Sequence, residues 1–456
     1  MTRVLRLLSF ALVLTALAAC STVQPWLNQP RAASAGVDVR TVAQRDASSL
    51  FAVSLSGGGA RAAAFGYGVL QELRATPCCW IDRDSNVLDA VDLISGVSGG
   101  SVVAAYFAAF GAAGLDKFEP DFLRQNFQEG LIGQLLQPSN LHDLTSPWFG
   151  RSHLLERRLD TLYRGMTFGD VERRPRHPQL VVTATDLTLG TGFDFAADTL
   201  DLICSDLQTV PLSFAVTASS AVPLLLSPMT LRNYRDSCPE NTIATLGPRP
   251  ATTEDDYRTR LILAQERSYL DGKTRPYIHL VDGGLADNLG VRRLVDMALA
   301  GGGMRAAFRE VRITPGSVRR LVLVIVNAER DPDKNIDSSG HVPSTGDVVD
   351  ALLFGAGDRA TVETQEFLAD VGRRFHDDLV KSGRWPSFAQ DAELYLILVN
   401  LRDATGDTRS KLLQVPTAFT IGDEEVTSLI AAGRSVLRAS KQFQALKRSL
   451  GVADTP

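Results

Sequence analysis

The chain has 456 residues, of which 45% are hydrophobic, 22% charged and 7% aromatic. That is the profile of a packed globular protein, and it excludes a disordered chain, a collagen-like repeat and a polytopic membrane protein. Lys and Arg total 47 against 52 Asp and Glu, a formal net charge of −5, with no long run of either sign to form a nucleic-acid footprint, so no DNA or RNA partner is expected.

At the start of the chain, Arg3 and Arg6 precede an uncharged apolar stretch from Leu7 to Leu17. It is too short to span a bilayer comfortably and is built like the basic and apolar regions of a secretory signal. The stretch ends Leu17-Ala18-Ala19-Cys20, which resembles the lipobox of bacterial lipoproteins. That resemblance implies a signal peptide over residues 1–19 and a lipidated Cys20 as the first mature residue. Ser21 in place of Asp implies the outer membrane, facing the periplasm. An ordinary secreted chain cut near Ala19 is the alternative. Residues 20–49, with Gln, Asn, Pro, Ser and Ala, read as a tether.

Cys78, Cys79, Cys204 and Cys238 follow. An oxidising compartment permits disulfides, and four cysteines allow three connectivities. The adjacent pair would be strained if joined to itself, so one bridge between separated partners, or none, is expected. No Cys or His spacing suggests a metal.

Phe51–Leu55 is a short apolar strand pattern that stops at Ser56-Gly57-Gly58-Gly59 and is followed by a helix-forming run from Ala60 to Leu73. The pattern returns where Val91–Ser95 leads into Gly96-Val97-Ser98-Gly99-Gly100 and a helical run from Ser101 to Ala113. Two strand–turn–helix units in succession predict a parallel sheet with helices on its faces. Further strands are predicted at Leu180–Thr185, Tyr277–Val281, Leu321–Val326 and Leu394–Val399, all rich in Val, Ile and Leu as buried parallel strands are. Residues 118–172 read as a helical insertion bordering a site, and 233–276, with Pro239, Pro248 and Pro250, as a surface excursion carrying one polar helix. Two more helices are predicted over 346–374 and 423–449.

Three motifs carry chemistry. Gly96-Val97-Ser98-Gly99-Gly100 is a G-x-S-x-G at a strand-to-helix turn, where small flanking residues permit a strained turn that lifts the Ser98 hydroxyl above the sheet. Gly57-Gly58-Gly59 can bring backbone N–H groups against an oxyanion without interference from Cβ atoms. Its spacing is not that of a P-loop and no Lys follows. Asp282, in Val281-Asp282-Gly283-Gly284, ends a predicted strand, so all three motifs gather at the carboxyl edge of the sheet. Asp287 and Asn288 read as a helix cap before Leu289. None of the six histidines has a neighbourhood that marks it as a catalytic base. His279 is closest, but its odd spacing from Asp282 sends the two side chains to opposite faces of a strand, so it reads as structural.

The ordered set resembles the patatin-like phospholipase family, which joins a glycine-rich loop, a G-x-S-x-G serine and a D-G-G/A aspartate. Ala218-Ser219-Ser220-Ala221-Val222-Pro223 is similar to a fourth block of that family, and the likeness covers residues 51–300. It implies a three-layer α/β/α fold with a central, mainly parallel sheet. Residues 50–300 would form the catalytic core, and 301–456 would complete the same domain with further strands and helices. It also implies Ser98 as nucleophile and Asp282 as its base, Gly57, Gly58 and Gly59 as oxyanion donors, and Arg61 as the family's supporting arginine. Ser56 departs from the acid often found before the glycines, and Ala62 from the glycine often found after the arginine. The implied activity is a serine acyl hydrolase of the phospholipase A or lysophospholipase type, acting on membrane lipid esters without metal or organic cofactor. Acyl transfer from the same intermediate, and a non-catalytic lipoprotein that binds a partner, are the alternatives.

Overall fold

The structure is a computed structural model that describes residues 23–31, 48–78, 85–135, 137–175, 177–238, 257–293, 314–331, 356–375, 388–406 and 408–452, with isolated positions between 337 and 351. Cys20 and its signal, Cys79, and residues 239–256 lie outside the described residues. The strands are β1 (Gln29–Pro30), β2 (Ser49–Leu55), β3 (Leu93–Val97), β4 (Gln179–Asp186), β5 (Gly192–Phe195), β6 (Ser205–Asp206), β7 (Met229–Arg232), β8 (Tyr277–Val281), β9 (Val318–Asn327) and β10 (Phe388–Asn400). The helices used below are α1 (Gly59–Ala75), α2 (Gly99–Gly114), α3 (Arg151–Tyr163), α4 (Leu212–Ser219), α5 (Tyr257–Tyr269), α6 (Ala356–Arg374), α7 (Asp423–Ala439) and α8 (Lys441–Ser449).

β2 is buried along its whole length because it runs between β3 and β9, both parallel to it. Alternate side chains feed two cores, as strand geometry requires. Phe51, Val53 and Leu55 join the main core with α1, α2 and α7, whereas Leu50 and Ala52 face a second cluster with Val318, Leu321 and Phe388. On that second face Leu368 of α6 packs with Ile325, Leu289 and Val291. Helices therefore cover both faces of the sheet. On α1 and α7 the two helix backbones touch, since a methyl group on Gly68 would fall 2.2 Å from the Ile430 carbonyl oxygen and one on Gly433 the same distance from that of Phe65. At the rim of this contact Glu72 accepts a two-pronged pair of bonds from Arg438 at 2.7 and 2.8 Å.

The sheet order is β10-β9-β2-β3-β4-β8-β7, with β5 also paired to β4. The first five strands in that order are mutually parallel, but β8 is antiparallel to both β4 and β7. The expectation that Tyr277–Val281 is a buried parallel strand is therefore corrected. Tyr277 and His279 are exposed while Ile278 and Leu280 are buried, the alternation of a strand with one wet face.

Two further expectations change. Residues 23–31 belong to the stretch read as a tether, yet they are docked: β1 pairs with β6, and Asn28 is fully buried. The Asn28 amide donates to the Arg232 carbonyl at 2.8 Å and accepts from the Arg232 N–H at 3.1 Å. The excursion 233–276 is not wholly superficial, because Tyr269 at the end of α5 is buried and its hydroxyl donates to Asp186 at 3.0 Å. The helix predicted over 423–449 is two, α7 and α8, broken at Ser440, whose extended backbone and Oγ cap α8. Cys204 and Cys238 form a disulfide, one of the separated pairings left open by the sequence.

Candidate active site

Three backbone turns meet at the carboxyl ends of β2, β3 and β4. The first follows β3, where Ser98 has φ 48° and ψ −123°, a strained conformation for a residue with a side chain. The geometry presents Oγ at the start of α2, as a strand-to-helix elbow does. The turn is held from two sides. Ser98 N–H donates to Ser219 Oγ at 2.8 Å, and Ser219 Oγ in turn donates to the Thr183 carbonyl at 2.6 Å. Behind it, Ser101 donates to the Ser98 carbonyl through both its N–H and its hydroxyl, at 2.9 and 2.6 Å.

The second turn follows β2. A methyl group on Gly99 would fall 1.9 Å from the Gly59 carbonyl oxygen, so the glycine loop and the Ser98 elbow lie in direct backbone contact and only glycine permits the approach. The N-termini of α1 and α2 therefore converge beside Ser98, bringing the positive ends of two helix dipoles to one place. Gly58 has φ 133°, a value that favours glycine. The three loop glycines are not equivalent. Gly57 N–H donates to the Asn288 carbonyl at 3.0 Å, whereas the N–H groups of Gly58 and Gly59 have no acceptor among the described residues. Of the three glycines expected to donate to an oxyanion, Gly57 already has its N–H engaged within the fold. Ser56 supports the loop by accepting the Ala328 N–H at 2.9 Å. Arg61 is buried under it, with Nε donating to the Ala328 carbonyl at 2.9 Å and Nη1 to that of Val415. The guanidinium thus ties the start of α1 to the chain leaving β9.

The third turn brings Asp282. Because β8 runs antiparallel to β4 and pairs with it only through Val281–Thr185 and Leu280–Asp186, it returns toward the sheet from beyond the end of β4. Its last residue therefore delivers Asp282 to the same edge as Ser98. The Asp282 N–H donates to the Ala221 carbonyl at 3.0 Å, and Thr185 Oγ1 donates to the Asp282 carbonyl at 2.8 Å.

Ser98 Oγ donates to Asp282 Oδ2 at 2.9 Å, and Gly284 N–H donates to Oδ1 at 2.8 Å. The carboxylate forms no ion pair among the described residues. Burial pushes it up to about 6, against the smaller opposing effects of the Gly284 and Ser98 hydrogen bonds. A carboxylate so placed can take a proton from the hydroxyl it already accepts from.

No described histidine bonds to either residue. His279 faces the other way, with Nδ1 3.0 Å from Thr230 Oγ1 on β7. His153 is buried at the start of α3, where desolvation lowers it to about 4. Asp287, expected to cap a helix before Leu289, accepts the N–H of Arg292, where a helical segment begins, at 2.7 Å.

Sequence reasoning assigned no site contact to Ser219, named only within the Ala218–Pro223 block, or to Asn288, read as a helix cap. Ser219 belongs to the Ala218–Pro223 block and is the link between elbow and sheet. Asn288 abuts the loop, since a methyl group on Gly57 would sit 2.5 Å from its Oδ1. Ser54 and Ser95, polar positions within apolar strands, hold the adjoining segment: Ser54 Oγ donates to the Leu289 carbonyl and Ser95 Oγ to that of Gly290.

The family model for the patatin-like phospholipases matches residues 53–295. No curated protein matches the chain. Among solved structures, human GIVD cytosolic phospholipase A2 is 13% identical with a TM-score of 0.44, over 90% of this chain and 64% of that one. The chain thus spans less than two thirds of the human protein. The same human protein in complex with methyl gamma-linolenyl fluorophosphonate is 11% identical with a TM-score of 0.42, over 90% and 60% of the respective chains. VipD from Legionella pneumophila is 12% identical with a TM-score of 0.34, over 94% of this chain and 71% of its own.

Proposed function

The chain belongs to the patatin-like phospholipase family, and we propose that it is a serine acyl hydrolase of lipid carboxylic esters working through Ser98 and Asp282. The observation that carries this reading is the 2.9 Å hydrogen bond from a strained, buried serine to a carboxylate with no cationic partner among the described residues. Asp282 accepts the Ser98 proton as Oγ bonds to the ester carbonyl carbon. The oxyanion forms against the N–H groups of Gly58 and Gly59, helped by the α1 and α2 dipoles. As the intermediate collapses, the carbon–oxygen bond to the leaving alcohol breaks and that alcohol takes the proton from Asp282. Water then repeats the sequence: Asp282 takes its proton, the fatty acid departs, and Ser98 Oγ is reprotonated.

The burial-raised carboxyl suits this task, because a base titrating near 6 is mostly ionised at neutral pH yet more basic than an exposed aspartate. Gly284 N–H fixes Oδ1 and leaves Oδ2 for the proton.

From the lipobox resemblance of Leu17-Ala18-Ala19-Cys20 we further propose a bacterial envelope protein, anchored through Cys20 in the outer membrane and facing the periplasm. The Cys204–Cys238 disulfide supports an oxidising compartment. The active-site test is labelling by a fluorophosphonate probe, with one adduct on Ser98 expected and none in Ser98→Ala. A folded protein that resists the probe would refute the nucleophile. For the anchor, palmitate should label the wild type and not Cys20→Ser, and equal labelling of both would refute it.

A further inference from the structure

Leu224 is unusual twice over. Its φ of 68° places a bulky side chain in the left-handed region, a strained backbone, and 62% of it is exposed beside Leu225 at 65%. The turn that presents them is fixed. Leu226 N–H donates to the Val222 carbonyl at 2.9 Å, Arg151 Nη2 donates to the Leu224 carbonyl at 2.7 Å, and the Ser152 N–H donates to Ser227 Oγ at 3.1 Å. The turn begins at Ala221, whose carbonyl accepts the Asp282 N–H, so two solvated leucines stand close in sequence to the backbone contact that seats the candidate base. On the far side of Asp282, Leu285 is also exposed.

The apolar surface continues away from the turn. Trp148, 44% exposed, precedes α3 and meets Trp26 at 6.4 Å between ring centroids, and Trp26 meets exposed Tyr277 at 5.4 Å. Ser146 donates to the Val23 carbonyl at 2.8 Å, so the docked N-terminal segment begins on this same surface. Val23 is three residues after Cys20, and three residues reach at most about 10 Å. An acyl chain on Cys20 would therefore draw this face of the molecule, and no distant one, toward a bilayer.

We propose that this face rests on a phospholipid bilayer, with Leu224, Leu225 and Trp148 inserted among the acyl chains so that an ester enters the Ser98 site from the lipid phase. The proposal rests on the acyl-hydrolase reading for its substrate and on the lipobox for its anchor; the exposed leucines and tryptophan carry the docking itself. Exposed apolar side chains lose contact with water on such a surface, and Arg151 at the edge of the turn offers a guanidinium to lipid phosphate.

The test uses the full chain with vesicles of dioleoylphosphatidylcholine, with and without its brominated analogue, which quenches tryptophans near the acyl chains. Bromolipid should quench the wild type, and Trp148→Phe should lose most of that quenching. In Leu224→Ser/Leu225→Ser the quenching should fall, and hydrolysis of vesicle phospholipid should drop about tenfold or more while p-nitrophenyl butyrate turnover changes by less than about twofold. Leu261→Ser, at an equally exposed leucine on α5, should change neither. Undiminished quenching in Trp148→Phe, wild-type vesicle hydrolysis in the double-leucine variant, or an equal loss in Leu261→Ser would overturn the proposal. If the wild type cleaves neither substrate, the hydrolase reading fails and the quenching still decides the docking face.

Discussion

Replacing the candidate base should make the protein inactive and more stable at once. In Asp282→Asn the amide keeps the local bonds: Oδ1 accepts from Gly284 N–H and Nδ2 donates to Ser98 Oγ. What is removed is a buried charge. Burial lifts this carboxyl from an ordinary 3.8 to about 6, so between those values the native state binds more protons than the unfolded chain, and wild-type stability falls as pH rises through that window. A difference of about two pH units corresponds to about 3 kcal/mol of stability lost by the wild type above the window. At an unfolding entropy of about 2.1 cal/mol/K per residue, that is about 3 °C in Tm for a chain of this length. Calorimetry of both proteins should show Asp282→Asn ahead by about 3 °C near about pH 8, narrowing to about 1 °C near about pH 4.5. Ester hydrolysis should meanwhile be lost by orders of magnitude. A Tm difference that does not depend on pH, or a variant less stable at the higher pH, would refute the assignment of Asp282 as a buried, unpaired carboxylate.

Three other outcomes follow from the same geometry. Turnover of a soluble ester should rise with pH and reach half its plateau near the Asp282 titration at about 6, because only the ionised form accepts the Ser98 proton; a pH–rate profile checks this. Ser219→Ala should lower kcat about tenfold to a hundredfold with KM little changed, since the elbow loses the bond that positions it. Denaturant titration of that variant should show about 1–3 kcal/mol of destabilisation from the stranded Ser98 N–H. Arg61→Lys should cost about 2 kcal/mol or more, because an ammonium cannot reproduce the fork that reaches the Ala328 and Val415 carbonyls; the same titration measures it.

The elements that locate the site were legible where local chemistry is strong. The apolar strands before the glycines and before Ser98 run parallel, and their abrupt switch to helix-forming residues marks the turns. Asp282 reaches Ser98 by a route that the expectation of a parallel strand did not describe. Its strand does end at the site, but it arrives antiparallel, and the alternation of Tyr277, Ile278, His279 and Leu280 was the available sign of a half-wet strand. β5 and β7 have four residues each, too few for periodicity to register. Ser219 and the engagement of Gly57 by Asn288 were not legible, because both depend on contacts between segments far apart in sequence: Ser98 bonds to Ser219 across 121 positions. The docking of residues 23–31, through the β1–β6 pairing and the buried amide of Asn28, occurs in a stretch whose composition is that of a linker.

The central claim is that Ser98 becomes acylated by a lipid ester with Asp282 as base. Its most direct measurement is peptide mass mapping after turnover of a defined phospholipid is quenched in acid. One fatty acyl group is expected on the peptide containing Ser98 in the wild type, and neither that adduct nor free fatty acid above background in Ser98→Ala. Release of fatty acid that persists in Ser98→Ala, or an acyl group carried by any other residue, would contradict it.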